Sequence, residues 1–286
     1  MKVLPFKIPK LSLDTLIVEQ YEGLVFYDKL HQHPEIQLSY VVSGKGTFLV
    51  GDTIEHFEPN DILIFGSNVP HVLKSDEDLA PVSVMVSLFF SLDSFGKDFF
   101  ELPDFQRIKH FLSKAELGLK LRNPQQQLQD KFLGITKSNK LKRFINFLEI
   151  LETLLESDYK TVASFSKKKL YSDNEGKRMS AVFELILNKY HQNISLVEVA
   201  NVAAMTPNAF CRYFKQRTNK TFIQFLTEIR IENSCKLLAK NNEFSIAEIA
   251  YQCGFKNISN YNRKFKSIKK STPTAYKQQI RKKIVV

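Results

Sequence analysis

Cysteine is scarce in this 286-residue chain: Cys211, Cys235 and Cys253 are odd in number and follow no metal-ligand spacing. That excludes a disulfide framework or a cysteine-built zinc site, and all three fall in helical stretches where a small buried apolar role is expected. Also missing are a Gly-rich phosphate loop, a Gly-x-Ser-x-Gly elbow and a Cys-x-x-Cys pair, and with them the enzyme classes those motifs serve. No apolar run approaches a membrane span, and Met1-Lys-Val-Leu-Pro-Phe-Lys7 lacks the apolar core of a signal peptide. The expectation is a cytoplasmic protein without membrane contact. Low-complexity segments are absent as well.

Charge, by contrast, is present and unevenly placed. Residues 1–158 carry 17 Lys+Arg against 22 Asp+Glu, a net −5, whereas residues 159–286 carry 24 against 8, a net +16. The length suffices for two domains, and a basic half behind a mildly acidic one suggests a nucleic-acid module attached to something else.

The basic half contains a repeat. Ser195-Leu-Val-Glu-Val-Ala200 matches Ser245-Ile-Ala-Glu-Ile-Ala250, and Phe210-Cys-Arg-Tyr-Phe-Lys215 matches Tyr261-Asn-Arg-Lys-Phe-Lys266 after one inserted residue. Each copy predicts helix, tight turn, helix. In the second, Gly254 supplies the turn and Asn257 an N-cap; in the first, Ala204 replaces the glycine, and Thr206-Pro207 gives a cap and a proline at N1. Small Ala200 and Ala250 allow close helix crossing. Between the copies, residues 221–241 predict a helix about 30 Å long. That is near one DNA turn, about 34 Å, so two recognition helices could enter successive major grooves.

These residues resemble the AraC/XylS family of bacterial transcription regulators. The likeness rests on Ile246-Ala-Glu-Ile-Ala-Tyr-Gln-Cys-Gly-Phe255, Asn262-Arg-Lys-Phe-Lys266 and Thr272-Pro-Thr-Ala-Tyr276, and covers roughly the last hundred residues. The family usually has Gly after each recognition helix; here Asn219 and Lys270 stand there, and Phe222 stands where the second copy has Pro273. Base contacts are expected from the outward faces: Asn208, Cys211 and Arg212 in the first copy, Ser259, Asn260, Asn262 and Arg263 in the second. These also match base-reading positions in the family. Solvation or capping is the alternative for the asparagines, most of all for Asn260. Lys215, Lys220, Arg230, Lys266, Lys269 and Lys270 are candidates for phosphate contacts.

In the front half the period is two. Val82, Val84, Val86, Leu88 and Phe90 alternate with Ser83, Met85, Ser87 and Phe89; turns are expected at 43–46, 51–52, 59–61 and 66–68. Short strands at this spacing predict a barrel or jelly roll. His31-Gln-His33-Pro-Glu35, Gly44, Pro59-Asn-Asp61 and Pro70-His71 resemble the cupin barrel attached to many AraC-type regulators. Metal-binding cupins use a His pair, a downstream Glu and a late His, but Gln37 occupies the position expected for Glu. Three imidazoles could still hold Zn or Fe if they converge. The reading taken is an effector pocket of His31, His33, Glu35, Gln37 and His71 with no metal or other cofactor, the histidines at its mouth. Glu35 is left between pocket rim and solvent.

From Phe95 the period becomes helical. Leu141, Phe144, Ile145, Leu148, Leu151 and Leu155 form one stripe and Phe147, Ile150 and Leu154 a second, which suggests two partners, the chain's own barrel and a second subunit. A helix buried within one chain is the alternative. The expected organisation is therefore multidomain. An N-terminal all-β cupin-like barrel, residues 1–92, precedes a helical dimerisation region, 93–158, and a polar linker, 159–178. A C-terminal all-α domain of two helix-turn-helix units joined by a long helix fills 179–286. The function expected is sequence-specific transcription regulation on double-stranded DNA, as a homodimer. A small-molecule effector, by resemblance often sugar-like, and RNA polymerase are the further partners. The competing reading is a cupin-type metal-dependent enzyme fused to a DNA-binding domain.

Overall fold

The structure, a computed structural model, describes residues 15–76, 82–164, 173–240 and 243–284. The opening Met1–Lys7 peptide and the Lys167–Lys169 run expected in the linker lie outside them. The chain forms two compact units that divide between residues 177 and 178.

The first unit begins with seven strands: β1 (Ile17–Gly23), β2 (Ile36–Ser43), β3 (Gly46–Val50), β4 (Thr53–Phe57), β5 (Ile62–Phe65), β6 (His71–Ser75) and β7 (Ser83–Phe90). There follow α1 (Gln106–Lys114), β8 (Leu119–Leu121), α2 (Gln126–Ile135), α3 (Lys140–Leu155) and β9 (Tyr159–Thr161). One sheet runs β1-β7-β2-β5-β8-β9 and the other β4-β3-β6. Each expected turn joins two strands, and Gly44, Gly51, Asn60 and Asn68 take positive φ there, where a missing Cβ or a short amide lowers the steric cost.

The alternation in β7 divides two cores. Val86, Leu88 and Phe90 face a cluster completed by Phe111, Phe132, Phe147, Ile150, Leu151 and Leu154 from the helices. On the barrel side, Phe48, Val50, Leu63, Phe65 and Leu73 pack together. Because helices cover one face of the large sheet, both sides of its central strands are buried, unlike a half-solvated sheet.

Three expectations change here. The barrel does not end at residue 92: β8 pairs with β5, β9 pairs with β8, and the sheet gains two edge strands from the region assigned to helices and linker. Val162 and Ala163 are buried, and Ser164 donates to the carboxylate of Asp52, so the segment after β9 belongs to this unit. The long apolar stripe on α3 is not a free seam. Leu151 is wholly buried in its own unit, and Phe144, Leu148 and Leu155 pack half-buried on the same core. Phe147, Ile150, Leu151 and Leu154, at i, i+3, i+4 and i+7, are the face buried in this unit, each contributing about 1.5–3 kcal/mol. The exposed apolar residues of α3 are Leu141 (71% exposed) and Ile145 (41%).

The second unit comprises α4 (Asp173–Lys189), α5 (Leu196–Val202), α6 (Pro207–Thr218), α7 (Phe222–Lys240), α8 (Ile246–Gln252), α9 (Ile258–Lys269) and α10 (Pro273–Ile284). The helix α4 starts inside the expected linker. Its Phe183 packs on Phe214 and Phe225, so it closes the first helix-turn-helix, as Tyr276 of α10 closes the second against Phe265. With 19 residues, α7 is about 28 Å long. It carries apolar residues on several sides because Phe222 and Phe225 meet the first copy while Ile231, Cys235 and Leu238 enter the core of the second.

Candidate functional site

The two reading heads are built alike from their caps upward. Ser195 accepts from the Glu198 amide at the start of α5, and Ser245 from the Glu248 amide at the start of α8. In the second copy Glu248 returns the bond, accepting from the Ser245 amide at 2.7 Å. That bond from the Ser245 amide, and then the Ser245 hydroxyl, hold its carboxyl below the usual glutamate range. Ala200 and Ala250 are fully buried where the helices cross. The turns then need a left-handed residue: Gly254 takes φ 84° and Ala204 takes 52°. A Cβ on Gly254 would lie 2.8 Å from the Tyr190 carbonyl oxygen and 2.9 Å from that of His191, so backbone proximity as well as φ requires glycine there.

The helices α6 and α9 are capped by Thr206 and Asn257, the latter accepting from the Ser259 and Asn260 amides at 2.8 and 3.1 Å. Both end left-handed, at Asn219 (φ 56°) and Lys270 (φ 58°), where the family pattern has glycine. Phe210 and Phe214 of α6, and Tyr261 and Phe265 of α9, are buried. Asn208, Cys211, Arg212, Ser259, Asn260, Asn262 and Arg263 are all exposed. The guanidinium of Arg263 donates to Asn260 Oδ1 at 3.0 Å, which orients it on the outer face. One turn further, Gln216 and Ser267 are exposed on the same helices; only the helical period, extended by four from Arg212 and Arg263, could have marked them.

The cysteines separate. Cys211 is exposed, as its place on the outward face of α6 requires and not buried like the other two, whereas burial pushes the Cys235 and Cys253 thiols up to about 12. The expected phosphate contacts separate too. Lys215, Lys266 and Lys270 are exposed. Lys220 is paired with Glu228 at 2.7 Å, and Lys269 with Glu232. Arg230 donates to the Tyr190 and Gln192 carbonyl oxygens, both at 2.8 Å, and its guanidinium lies over the Phe255 ring. It clamps the connection after α4 to the turn of the second copy, and burial lowers its pKa. These three cations are engaged in internal contacts.

In the barrel, His31, His33 and His71 come together with Gln37, and all are buried rather than at a mouth. Glu35 is buried as well, its carboxylate 3.7 Å from His33 Nδ1. A backbone bridge between His31 and His71 joins the loop before β2 to the start of β6. Each ring is turned by a carbonyl: Nδ1 faces Lys29 O at 2.8 Å in His31, Glu35 O at 2.9 Å in His33 and Val69 O at 2.8 Å in His71. A carbonyl only accepts, so Nδ1 carries the proton in all three. Burial lowers the pKa of His31 to about 4 and that of His71 well below the ordinary histidine value, which keeps both neutral.

The Nε2 atoms of His33 and His71 each lie 3.0 Å from Gln37 Oε1. In the neutral His71 ring with Nδ1–H, Nε2 is an acceptor, so an acceptor nitrogen faces an acceptor oxygen. Turning the amide over would let its NH2 donate to both rings and its oxygen accept from Ser39, whose hydroxyl contacts Ser87 at 2.8 Å. A divalent cation would satisfy the same lone pairs without the turn. Ring nitrogens of the three histidines lie within 4.8 Å of one another, and the donor set of three imidazoles and an amide oxygen fits a borderline metal such as zinc or iron. The adjoining cavity is about 50 Å³. That is room for a few waters or an ion, and a sugar-sized ligand would have to displace side chains.

Among the described residues no helix is long and apolar enough to cross a membrane. A helix-turn-helix domain model matches residues 199–279, and a cupin domain model matches residues 25–88. The chain is 26% identical over 279 residues to YdeC, an uncharacterized HTH-type transcriptional regulator of Bacillus subtilis, covering 95% of this chain and 92% of that one. It is 24% identical over 255 residues to the HTH-type transcriptional activator RhaR of Mannheimia succiniciproducens, covering 89% and 88%. Among solved structures, the DNA-binding domain of AdpA in complex with a target DNA is similar to 37% of this chain over 96% of its own length, at 25% identity and a TM-score of 0.36. With a cupin domain match ahead of a helix-turn-helix domain match, and HTH-type transcriptional regulators as relatives along nearly its whole length, the chain belongs to the AraC/XylS family of DNA-binding transcription regulators.

Proposed function

We propose that this regulator lays α6 and α9 into successive major grooves of double-stranded DNA and changes its activity when the barrel takes up a signal. The observation that carries the reading is the equivalence of Arg212 and Arg263, both exposed on helices whose opposite faces are buried. Arginine reads guanine through two parallel hydrogen bonds, and Asn208, Asn260 and Asn262 have the amide that suits adenine. Cys211 and Ser259 complete the two faces. Lys215, Lys266 and Lys270 set affinity and register on phosphates. The chain acts as a homodimer in the cytoplasm, with RNA polymerase as its further partner, and does no catalysis of its own.

DNA binding by the full chain tests this. Each phosphate neutralised contributes about −0.9 to the slope of log K against log[salt], so three lysines alone give about −3. A slope near zero would contradict the arrangement.

For the signal, the first reading is a small effector held by His31, His33, Glu35, Gln37 and His71. The convergence of three imidazoles within 4.8 Å and the facing lone pairs of Gln37 and His71, beside so small a cavity, favour a second reading in which the same histidines and Gln37 hold a divalent cation. Bound there, the cation would supply fixed positive charge that ties β2 to β6. Elemental analysis of the purified chain separates the two. The cation reading expects near-stoichiometric metal that His71→Ala loses. The effector reading expects metal-free protein, and a Gln37→Ala variant that binds DNA but no longer responds in a reporter assay. Metal-free protein with an unaltered response in Gln37→Ala would remove both.

A further inference from the structure

A second cavity lies at the amino-terminal end of α3, formed by residues other than the histidine cluster. It measures about 630 Å³, and its lining includes Leu16, Phe95, Phe99, Lys140, Arg143 and Phe144. Small-molecule sites commonly run about 300–1,000 Å³, so this cavity has room for an organic ligand, whereas the 50 Å³ beside the histidines does not.

One side of the cavity is aromatic. The Phe95, Phe99 and Phe144 rings lie 5.1 to 5.9 Å apart, centroid to centroid. The other side is cationic. Arg143 donates through Nη2 to the Thr136 carbonyl oxygen at 3.3 Å, and its Nε–H is buried with no hydrogen-bond partner among the described residues. A guanidinium carries five N–H donors and no acceptor, so only an acceptor group can satisfy it. With one donor bonded to Thr136, the rest of the guanidinium gives this side of the cavity a fixed positive charge that favours an anion. Lys140 adds a second positive group to the lining, the first turn of α3 adds the partial charge of a helix N-terminus, and no Asp or Glu is among the described lining residues.

We infer that this cavity binds an organic carboxylate, its anionic head on the Arg143 guanidinium and its apolar body against Phe95, Phe99 and Phe144. Charge-assisted pairing of the carboxylate with the part of the guanidinium that lines the cavity fixes the head, and the three rings bury a body of one or two rings or a short chain. This gives the regulator a second ligand input, built from residues the histidine cluster does not use.

Calorimetric titration of the full chain tests it with three probes. The first two, 2-naphthoate and octanoate, share the carboxylate and differ in the body; the third, 2-naphthamide, keeps the aromatic body without the charge. One or both carboxylates are expected to bind at one site per chain, and the amide at least tenfold more weakly. Tighter naphthoate assigns an aromatic body, tighter octanoate a chain. Arg143→Leu should weaken the carboxylate at least tenfold while the ligand-free chain still melts cooperatively. Arg107→Leu, an exposed charge on α1 paired with Glu156, serves as the charge control and should change neither. If Arg143→Leu does not fold, Arg143→Gln removes the charge while keeping a donor for Thr136, with the same loss expected. Equal binding of the amide, undiminished carboxylate binding in the Arg143 variants, or no carboxylate binding at millimolar concentration would each overturn the inference.

Discussion

Arg212 and Arg263 occupy matching places in the two copies, so truncating them should have matching and separable effects. Arg212→Ala and Arg263→Ala should each cost about 1–3 kcal/mol and relax discrimination at different base pairs about one helical turn apart, measured on singly substituted duplexes. Lys266→Ala should weaken all sequences alike. If both arginine variants blur the same base pair, the two-groove arrangement is wrong. Lys220, Lys269 and Arg230 are as basic in the sequence as Lys215 or Lys266. Their different fate was not legible because a charge does not disclose its partner: Glu232 lies 37 residues from Lys269. Burial similarly decides His31. Desolvation first, then the nearby His33, lowers its pKa from 6.5 to about 4, against an opposing bond from the Lys29 carbonyl. Between those values the unfolded chain binds a proton that the folded chain refuses. Stability is thus full above pH 6.5 and falls as pH drops toward 4, by about 3 kcal/mol from this residue, and His71 acts with the same sign. Melting curves across that range should show the decline, and His31→Gln should flatten it; a melting temperature that rises with acid would contradict this.

At the scale of elements, the two turns make a controlled comparison. Ala204 is exposed and strained at φ 52°, so Ala204→Gly should stabilise the chain by about 0.5–1 kcal/mol. Gly254→Ala meets both a positive φ and the Tyr190 and His191 carbonyls, and should destabilise it by about 1–3 kcal/mol in denaturant melts. Equal and small effects would show that neither turn is constrained as described. The helix α3 teaches a different lesson. Its two apolar stripes were visible, yet the one assigned to a second subunit includes Leu151, which its own unit buries. What remains for a partner is Leu141 and Ile145, at i, i+4 on the exposed side. Leu141→Glu combined with Ile145→Glu should turn a dimer into a monomer in sedimentation at micromolar concentration, with the melting temperature of the chain nearly unchanged. A wild-type monomer would remove the proposal.

For the whole molecule, the division between residues 177 and 178 and the separate aromatic core of the second unit imply that residues 173–286 fold without the barrel. This fragment should give a cooperative melt and retain salt-sensitive DNA binding; an unfolded fragment would mean that the first unit is needed to complete its core. The double helix-turn-helix, its caps and the outward placement of Asn208, Arg212, Asn262 and Arg263 were determined by the sequence alone. They follow from contacts a few residues apart: an N-cap three residues from the amide it satisfies, a helical stripe of period 3.6 and a turn residue that tolerates positive φ. The strands and turns of the barrel were determined in the same way, by a period of two. Tertiary structure decided what depends on residues far apart in the chain. It carried β8 and β9 onto the barrel sheet, folded α3 onto its own core and buried His31, His33 and His71 around Gln37. It also turned three of six candidate cations inward and left Arg143 beside an aromatic cavity. Local periodicity sets which side of an element is apolar, but only the long-range packing that excludes water determines what covers that side and which charges find a partner.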